Sequence, residues 1–267
     1  MSTRVRIDRE GELALVRMTR GEAHNGLDFE MIAQLIAAGR ALKKAGDVRG
    51  AVLQGEGPSF CAGLDFKSVM KTPVRAAMEF TRLYSPVRNK FQEVAMIWRD
   101  LPFPVVACVH GNCFGGGIQL ALACDFRVAT PDAKLSIMEA KWGLIPDMSG
   151  TVPLRELLPM DVAKELVMTG RVLSGEEARA LGLVTHVATD TLAKARELLR
   201  EILTRSPDSV AAGKFLLQEA WWDSEEGALA AERYWQRQLL GSGNQKIAVV
   251  NNMKKESRPF GPRKVKK

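Results

Sequence analysis

Residues 104–124 constrain the fold more than any other stretch of this 267-residue chain. Pro104-Val-Val-Ala-Cys-Val109 is a β-branched apolar run. Gly111-Asn-Cys-Phe-Gly-Gly-Gly117 then supplies four glycines, and Ile118 to Cys124 is apolar again. This order reads as a buried strand, a tight turn and the start of a buried helix. His110, Asn112 and the glycines interrupt the stretch, so it does not read as a membrane span.

The same grammar occurs elsewhere. Leu13 to Met18 reads as a strand. Leu27 to Lys44 is apolar at helical spacing, with Asp28 near its start, where a carboxylate suits the helix dipole. Gly50 to Gln54 is a short buried strand closed by Gly55-Glu-Gly-Pro58, and a second glycine-bearing turn, Phe60-Cys-Ala-Gly-Leu-Asp65, follows it. Residues 74–100 read as one long amphipathic helix, and Asp125 to Ala129 as a further strand. Strand and helix alternate to about residue 190, which argues for an α/β core. Beyond that the pattern is helical only, broken at Pro207, Gly241 and Pro259. The expected division is an α/β core over residues 1–195 and a helical segment with a basic tail over 196–267.

Composition limits the chemistry. Cys61, Cys108, Cys113 and Cys124 form no C-x-x-C pair and only three histidines could join them, so no metal site is expected. Free core thiols imply a reducing compartment, and the charged stretch Met1 to Arg9 is no signal peptide. The expected location is the cytoplasm, with no membrane partner. The net charge of +7 is partly concentrated between Lys254 and Lys267. That tail reads first as solvated. Attraction to a phosphorylated ligand or to nucleic acid is the sharper alternative. Nucleic acid is disfavoured, because no aromatic residues are interleaved to stack bases.

The two glycine turns suggest more than packing. A backbone N–H at such a turn lacks a partner, the start of a helix favours negative charge, and glycine lets a ligand approach the backbone. Two such turns face to face could donate two hydrogen bonds to one oxygen, forming an oxyanion hole. No G-x-G-x-x-G and no G-K-[ST] is present, so neither a dinucleotide fold nor a P-loop is indicated.

The turns also occur in a longer ordered set. His24-Asn-Gly-Leu27 precedes them. Asp132-Ala-Lys-Leu-Ser-Ile-Met-Glu139, Gly143-Leu-Ile-Pro146, Ser149-Gly-Thr151, Thr169-Gly-Arg171 and Glu177-Ala-Arg-Ala-Leu-Gly-Leu-Val184 follow. Together they resemble the enoyl-CoA hydratase/isomerase (crotonase) family over roughly residues 12–190, and more weakly to Phe260. The resemblance implies a spiral of ββα units with a C-terminal helical trimerisation segment, assembling as a trimer or a dimer of trimers. It also implies an acyl-CoA thioester as substrate, CoA being part of that substrate and no separate cofactor being needed. By position, the oxyanion donors would be the N–H groups of Leu64 and Gly116. His24, Asn25, Leu64, Asp65, Phe66 and Lys67 would lie along CoA.

Many hydratases of this family use two glutamates. The second is present as Glu139, but Gln119 stands at the first position. An amide cannot exchange a proton at neutral pH, although it can hold a water. Efficient hydration is therefore disfavoured against double-bond isomerisation, in which one carboxylate moves a proton between carbons. A true hydratase with a Gln119-held water remains an alternative, as does other acyl-CoA chemistry or a CoA- or RNA-binding homologue with little activity. Asp147 matches an aspartate that dienoyl-CoA isomerases of the family pair with the glutamate. Read without the family, Asp147 is equally a turn or capping residue, and Gln119 a structural amide bonded to nearby backbone. Trp142 reads as core or as a wall of the acyl pocket, and Cys113 as packing.

Overall fold

The structure is a computed structural model, and it describes residues 3–84 and 86–266 of the chain. The strands are β1 (Val5–Glu10), β2 (Leu13–Met18), β3 (Gly50–Gly55), β4 (Val105–Val109), β5 (Asn112–Phe114), β6 (Phe126–Ala129), β7 (Lys134–Ser136) and β8 (His186–Val187). Six of them form one sheet in the order β1-β2-β3-β4-β6-β8. β5 pairs with β7 in a second, small sheet. Among the described strands only β1 and β2 pair antiparallel, and the other strand pairs are parallel. β1 was not evident in the sequence, because alternating charged residues such as Arg6, Asp8 and Glu10 mask its period. Those charges suit an edge strand, where they discourage pairing with another chain.

The central strands are apolar on both faces because both faces are covered. Ala14, Val16, Ala51, Leu53, Val105 and Ala107 point into the main core. Leu13, Leu15, Val52, Val106 and Val128 point to the other side, where Ala195 and Leu199 close over them. Both of those residues lie on one helix, Thr191–Leu203. The division expected at residue 195 therefore falls inside a helix that belongs to the sheet.

Helices fill the connections. α1 (Phe29–Lys44) starts at Asp28, whose side chain accepts a hydrogen bond from the Met31 N–H at 2.7 Å. α2 (Phe66–Met70) and α3 (Pro73–Thr81) follow the first glycine turn. The long helix expected over 74–100 is broken. α3 ends, and a new helix, α4 (Lys90–Arg99), begins at a capping box in which Asn89 and Gln92 bond to each other's backbone. Pro86 lies between them, where its ring could not continue a helix. α5 (Gly116–Leu122), α6 (Thr151–Leu157), α7 (Met160–Thr169), α8 (Gly175–Leu181) and α9 (Thr191–Leu203) complete the core, and α10 (Pro207–Ala220), α11 (Glu225–Leu239) and α12 (Gly243–Lys254) form the C-terminal segment.

The basic tail is not simply solvated. The buried Asp208 carboxylate accepts hydrogen bonds from Asn244 Nδ2 at 2.8 Å, Lys264 N at 2.6 Å and Val265 N at 2.9 Å, which straps residues 261–265 across α10 and α12. Among the described residues no helix is long and apolar enough to cross a membrane.

Candidate active site

The two glycine turns are zipped together. Phe60 N donates to His110 O at 2.8 Å, Cys61 N to Asn112 O at 3.0 Å, and Phe114 N to Cys61 O at 3.0 Å. Gly63 takes φ +89°, and a Cβ there would lie 2.7 Å from the Phe114 carbonyl and 3.3 Å from the Gly116 nitrogen. A Cβ on Gly117 would meet the Cys61 carbonyl at 2.3 Å. Only glycine permits this approach.

Each turn ends on an unengaged donor. Leu64 forms an isolated parallel bridge with Leu27. Leu27 N donates to Gly63 O and Asp65 N donates to Leu27 O, so the neighbours of Leu64 make the ladder bonds and its own N–H points away from residue 27. Gly116 is the first residue of α5, where no intrahelical partner exists. Among the described residues neither N–H has a backbone acceptor.

Glu139 comes to the same place by a short route. Gly115 N donates to Ser136 O at 3.0 Å, which fixes the end of β7 against the turn. Three residues later Glu139 opens a short 3-10 helix, Glu139–Trp142, and a Cβ on Gly115 would lie 3.5 Å from its Oε1. Glu139 is buried. Its Oε1 accepts from Gln119 Nε2 at 2.5 Å, while Oε2 has no partner. Burial pushes the carboxyl above the ordinary glutamate range. Hydrogen bonds from its own backbone and from Gln119 oppose the rise, and nearby Asp147 adds to it. Asp147 presents surface to solvent, yet the protein around it also raises its carboxyl.

Gln119 is fully buried on α5. Its Oε1 accepts from Met148 N and from Gly150 N, both at 2.9 Å. Two backbone N–H donors decide which end of the amide is oxygen, so the NH2 end faces Glu139.

Of the residues expected along CoA, three are exposed, Leu64 and Asp65 are half-buried, and Asn25 is buried. His24 and Asn25 both adopt left-handed backbone, at φ 49° and 52°. His24 is exposed, with Nδ1 2.8 Å from Ser59 Oγ. Asn25 is buried and structural: its amide donates to the Glu56 and Ser59 carbonyls and accepts from Arg20 N. Asp65 caps α2 through Ser68 and pairs with Arg20 at 2.7 Å, which holds its carboxyl below the usual range despite partial burial. Phe66 and Lys67 are exposed. The Phe66 ring packs on Trp142 at 5.3 Å, joining the first glycine turn to the end of the Glu139 helix. Trp142 is thus an exposed wall rather than core. Sequence reading missed Arg20 and this aromatic pair, whose partners are far apart in the chain.

All four cysteines are buried. Desolvation pushes the thiols of Cys61, Cys108 and Cys124 up to about 12 and that of Cys113 well above its ordinary value, so none is a poised nucleophile. Among the described residues no three metal-binding side chains gather. A separate cleft of about 450 Å³ lies between α6, α9 and α10, lined by Leu122, Cys124, Phe126, Leu157, Lys214 and Trp221, and it includes neither Glu139, Gln119, Asp147 nor the two glycine turns.

Comparison with known proteins fixes the lineage. The enoyl-CoA hydratase/isomerase family model matches residues 8–260. The chain belongs to the enoyl-CoA hydratase/isomerase family. It is an enzyme of the hydratase/isomerase class. A mouse mitochondrial methylglutaconyl-CoA hydratase is 35% identical over 214 residues, which cover 78% of this chain and 66% of that one. The crystal structure of an enoyl-CoA hydratase from Polaromonas superposes with a TM-score of 0.87 at 30% identity, covering 96% of this chain and 99% of that one. A Thermobifida fusca protein solved with acetoacetyl-CoA superposes with a TM-score of 0.79 at 29% identity, covering 88% of this chain and 94% of that one. The α/β spiral with its C-terminal helices is the fold of this family.

Proposed function

We propose that this chain shifts the double bond of an acyl-CoA thioester through an enolate held by the Leu64 and Gly116 N–H groups, with Glu139 carrying the proton. The supporting observation is the Glu139 carboxyl, whose Oε1 lies beside Gly115 and is faced by an amide instead of a second carboxylate, while its Oε2 has no partner. Two N–H donors on the thioester oxygen acidify the adjacent C–H and are worth about 3 kcal/mol each in the transition state. Glu139 Oε2 takes a proton from C2 of a 3-enoyl thioester. Charge spreads over the dienolate, and the same carboxylic acid returns the proton at C4, giving the conjugated 2-enoyl product. Asp147 serves as a second acid for longer, dienoyl substrates. The raised carboxyls of both residues suit a pair in which one is protonated while the other is ionised.

CoA lies along His24, Asp65, Phe66 and Lys67, with the buried Asn25 shaping the turn beneath them, and its phosphates are drawn by the chain's net charge of +7. The exposed apolar residues Trp221, Trp222, Leu240 and Met253 of the C-terminal segment support self-assembly, as a trimer or a dimer of trimers. Hydration is the second reading, favoured by the mouse relative's activity and by the remaining N–H of the Gln119 amide, which could hold a water. Incubation with 2-enoyl-, 3-enoyl- and 3,5-dienoyl-CoA separates these readings. Conversion of the 3-enoyl thioester faster than hydration of the 2-enoyl one is expected, and parent rates on all three from Glu139→Gln would refute the role of Glu139.

A further inference from the structure

Gln119 bridges three elements by side-chain hydrogen bonds whose partners lie 20, 29 and 31 residues away in the chain. We propose that Gln119 is a positioning residue: a fixed amide clamp that holds Glu139 by one oxygen, leaves the other as that carboxyl's proton-carrying atom, and locks the segment bearing Asp147 to the same frame. The proposal deepens the proton-transfer reading above and rests on it for the identity of the base.

The geometry leaves Gln119 little room for another task. Its oxygen accepts two backbone N–H groups, which use both of its lone pairs, so it cannot also receive a hydrogen bond from substrate or water. One of those donors, Met148 N, directly follows Asp147 in the chain. The segment is shaped around the amide: a Cβ on Gly150 would lie 2.8 Å from Gln119 Oε1 and 3.0 Å from Cδ, so a glycine there lets the amide sit against the backbone. The remaining contact is the 2.5 Å bond from Nε2 to Glu139 Oε1. A carboxylate with one oxygen held this way presents the other in a single orientation, and here that other oxygen is buried and without a partner.

The amide also tunes the base. A donor to the ionised form favours that form, so the clamp moderates the rise that burial imposes on Glu139. A glutamate at position 119 would keep an oxygen for the Met148 and Gly150 amides. Its other oxygen would then meet Glu139 Oε1 at the distance of two carboxyls that must share a proton.

The test is the titration of Glu139 itself, followed by 13C NMR on enzyme carrying 13C-carboxyl glutamate. The resonance is assigned by its absence in Glu139→Gln. In Gln119→Met the Glu139 titration should move upward by roughly one pH unit as the donor is lost. In Gln119→Glu, which keeps the acceptor for the backbone and so guards against misfolding, two coupled carboxyl titrations should replace the single one. The acid limb of kcat/KM for isomerisation should move with them. If both variants fold with the parent melting temperature and neither the Glu139 titration nor the acid limb moves, the clamp is only scaffolding and the proposal is overturned. Failure of the proton-transfer reading looks different, as an active Glu139→Gln, and leaves the NMR titration interpretable.

Discussion

Gly117→Ala should cripple the enzyme without touching any atom that reacts. A Cβ at position 117 would stand 2.3 Å from the Cys61 carbonyl oxygen and 2.9 Å from Cys61 Cβ, whereas real Cβ contacts essentially never fall below 3.0 Å. The carbonyl must therefore retreat by at least 3.0 − 2.3 = 0.7 Å, and neither neighbour is a flexible chain end. Cys61 lies three residues before Leu64, and Gly117 directly follows Gly116, so the strain falls between the two donors. A hydrogen bond of about 2.9 Å lengthened by that much is about 3.6 Å, and no longer a hydrogen bond. Loss of one oxyanion donor costs kcat about 10²–10³-fold, or about 3–4 kcal/mol. Overpacking should cost stability about 1–3 kcal/mol, offset by some 1 kcal/mol from replacing a helical glycine. The assay is kcat on the best thioester, with a thermal melt on the same preparation. A folded Gly117→Ala with kcat within about threefold of the parent would show that the facing turns are packing and nothing more.

Other expectations concern charge and the C-terminal strap. Glu139 and Asp147 both have carboxyls raised in the folded state, so each contributes stability below its unfolded value that is lost as pH rises through the folded one. Glu139→Gln should therefore melt higher than the parent at pH 7.5, with the gap closing toward pH 4, while kcat drops about 10²–10⁴-fold. A gap that widens on acidification would contradict the buried, unpaired carboxylate. The rate should fall on acidification at a pH above that of an ordinary glutamate, because the base must be ionised. Asp208→Ala leaves the Lys264 and Val265 amides without their acceptor and should cost about 3 kcal/mol in urea unfolding, with faster tryptic cleavage beyond Lys254. Tail cleavage at the parent rate would mean the strap does not anchor there.

What the sequence revealed, and what it hid, follows from the range of the interactions. β2, β3, β4, β6, α1 and both glycine turns were legible because local period and turn chemistry determine them. The break between α3 and α4 was missed because apolar spacing continues across Pro86, and only the Asn89–Gln92 box restarts the helix. β1 was missed because an edge strand hides its period in charge. At the site, Glu139 could be placed from motif context, but the state of Gln119 could not. Whether an amide holds water or backbone depends on partners 20 or more residues away, and those are fixed only by the close approach at Gly150. The tail read as solvated because Lys254, Lys255, Lys264 and Lys266 do face water, while what anchors it is the buried Val265 side chain and the backbone amides of residues 264 and 265.

The most direct measurement is the infrared carbonyl band of an acyl-CoA labelled with 13C at the thioester carbon, bound to the enzyme. If the amides at positions 64 and 116 both donate to that oxygen, the band moves well below its solution frequency, and it moves back part of the way in Gly117→Ala. A band left at the solution frequency in the bound complex would mean that no oxyanion hole is formed there.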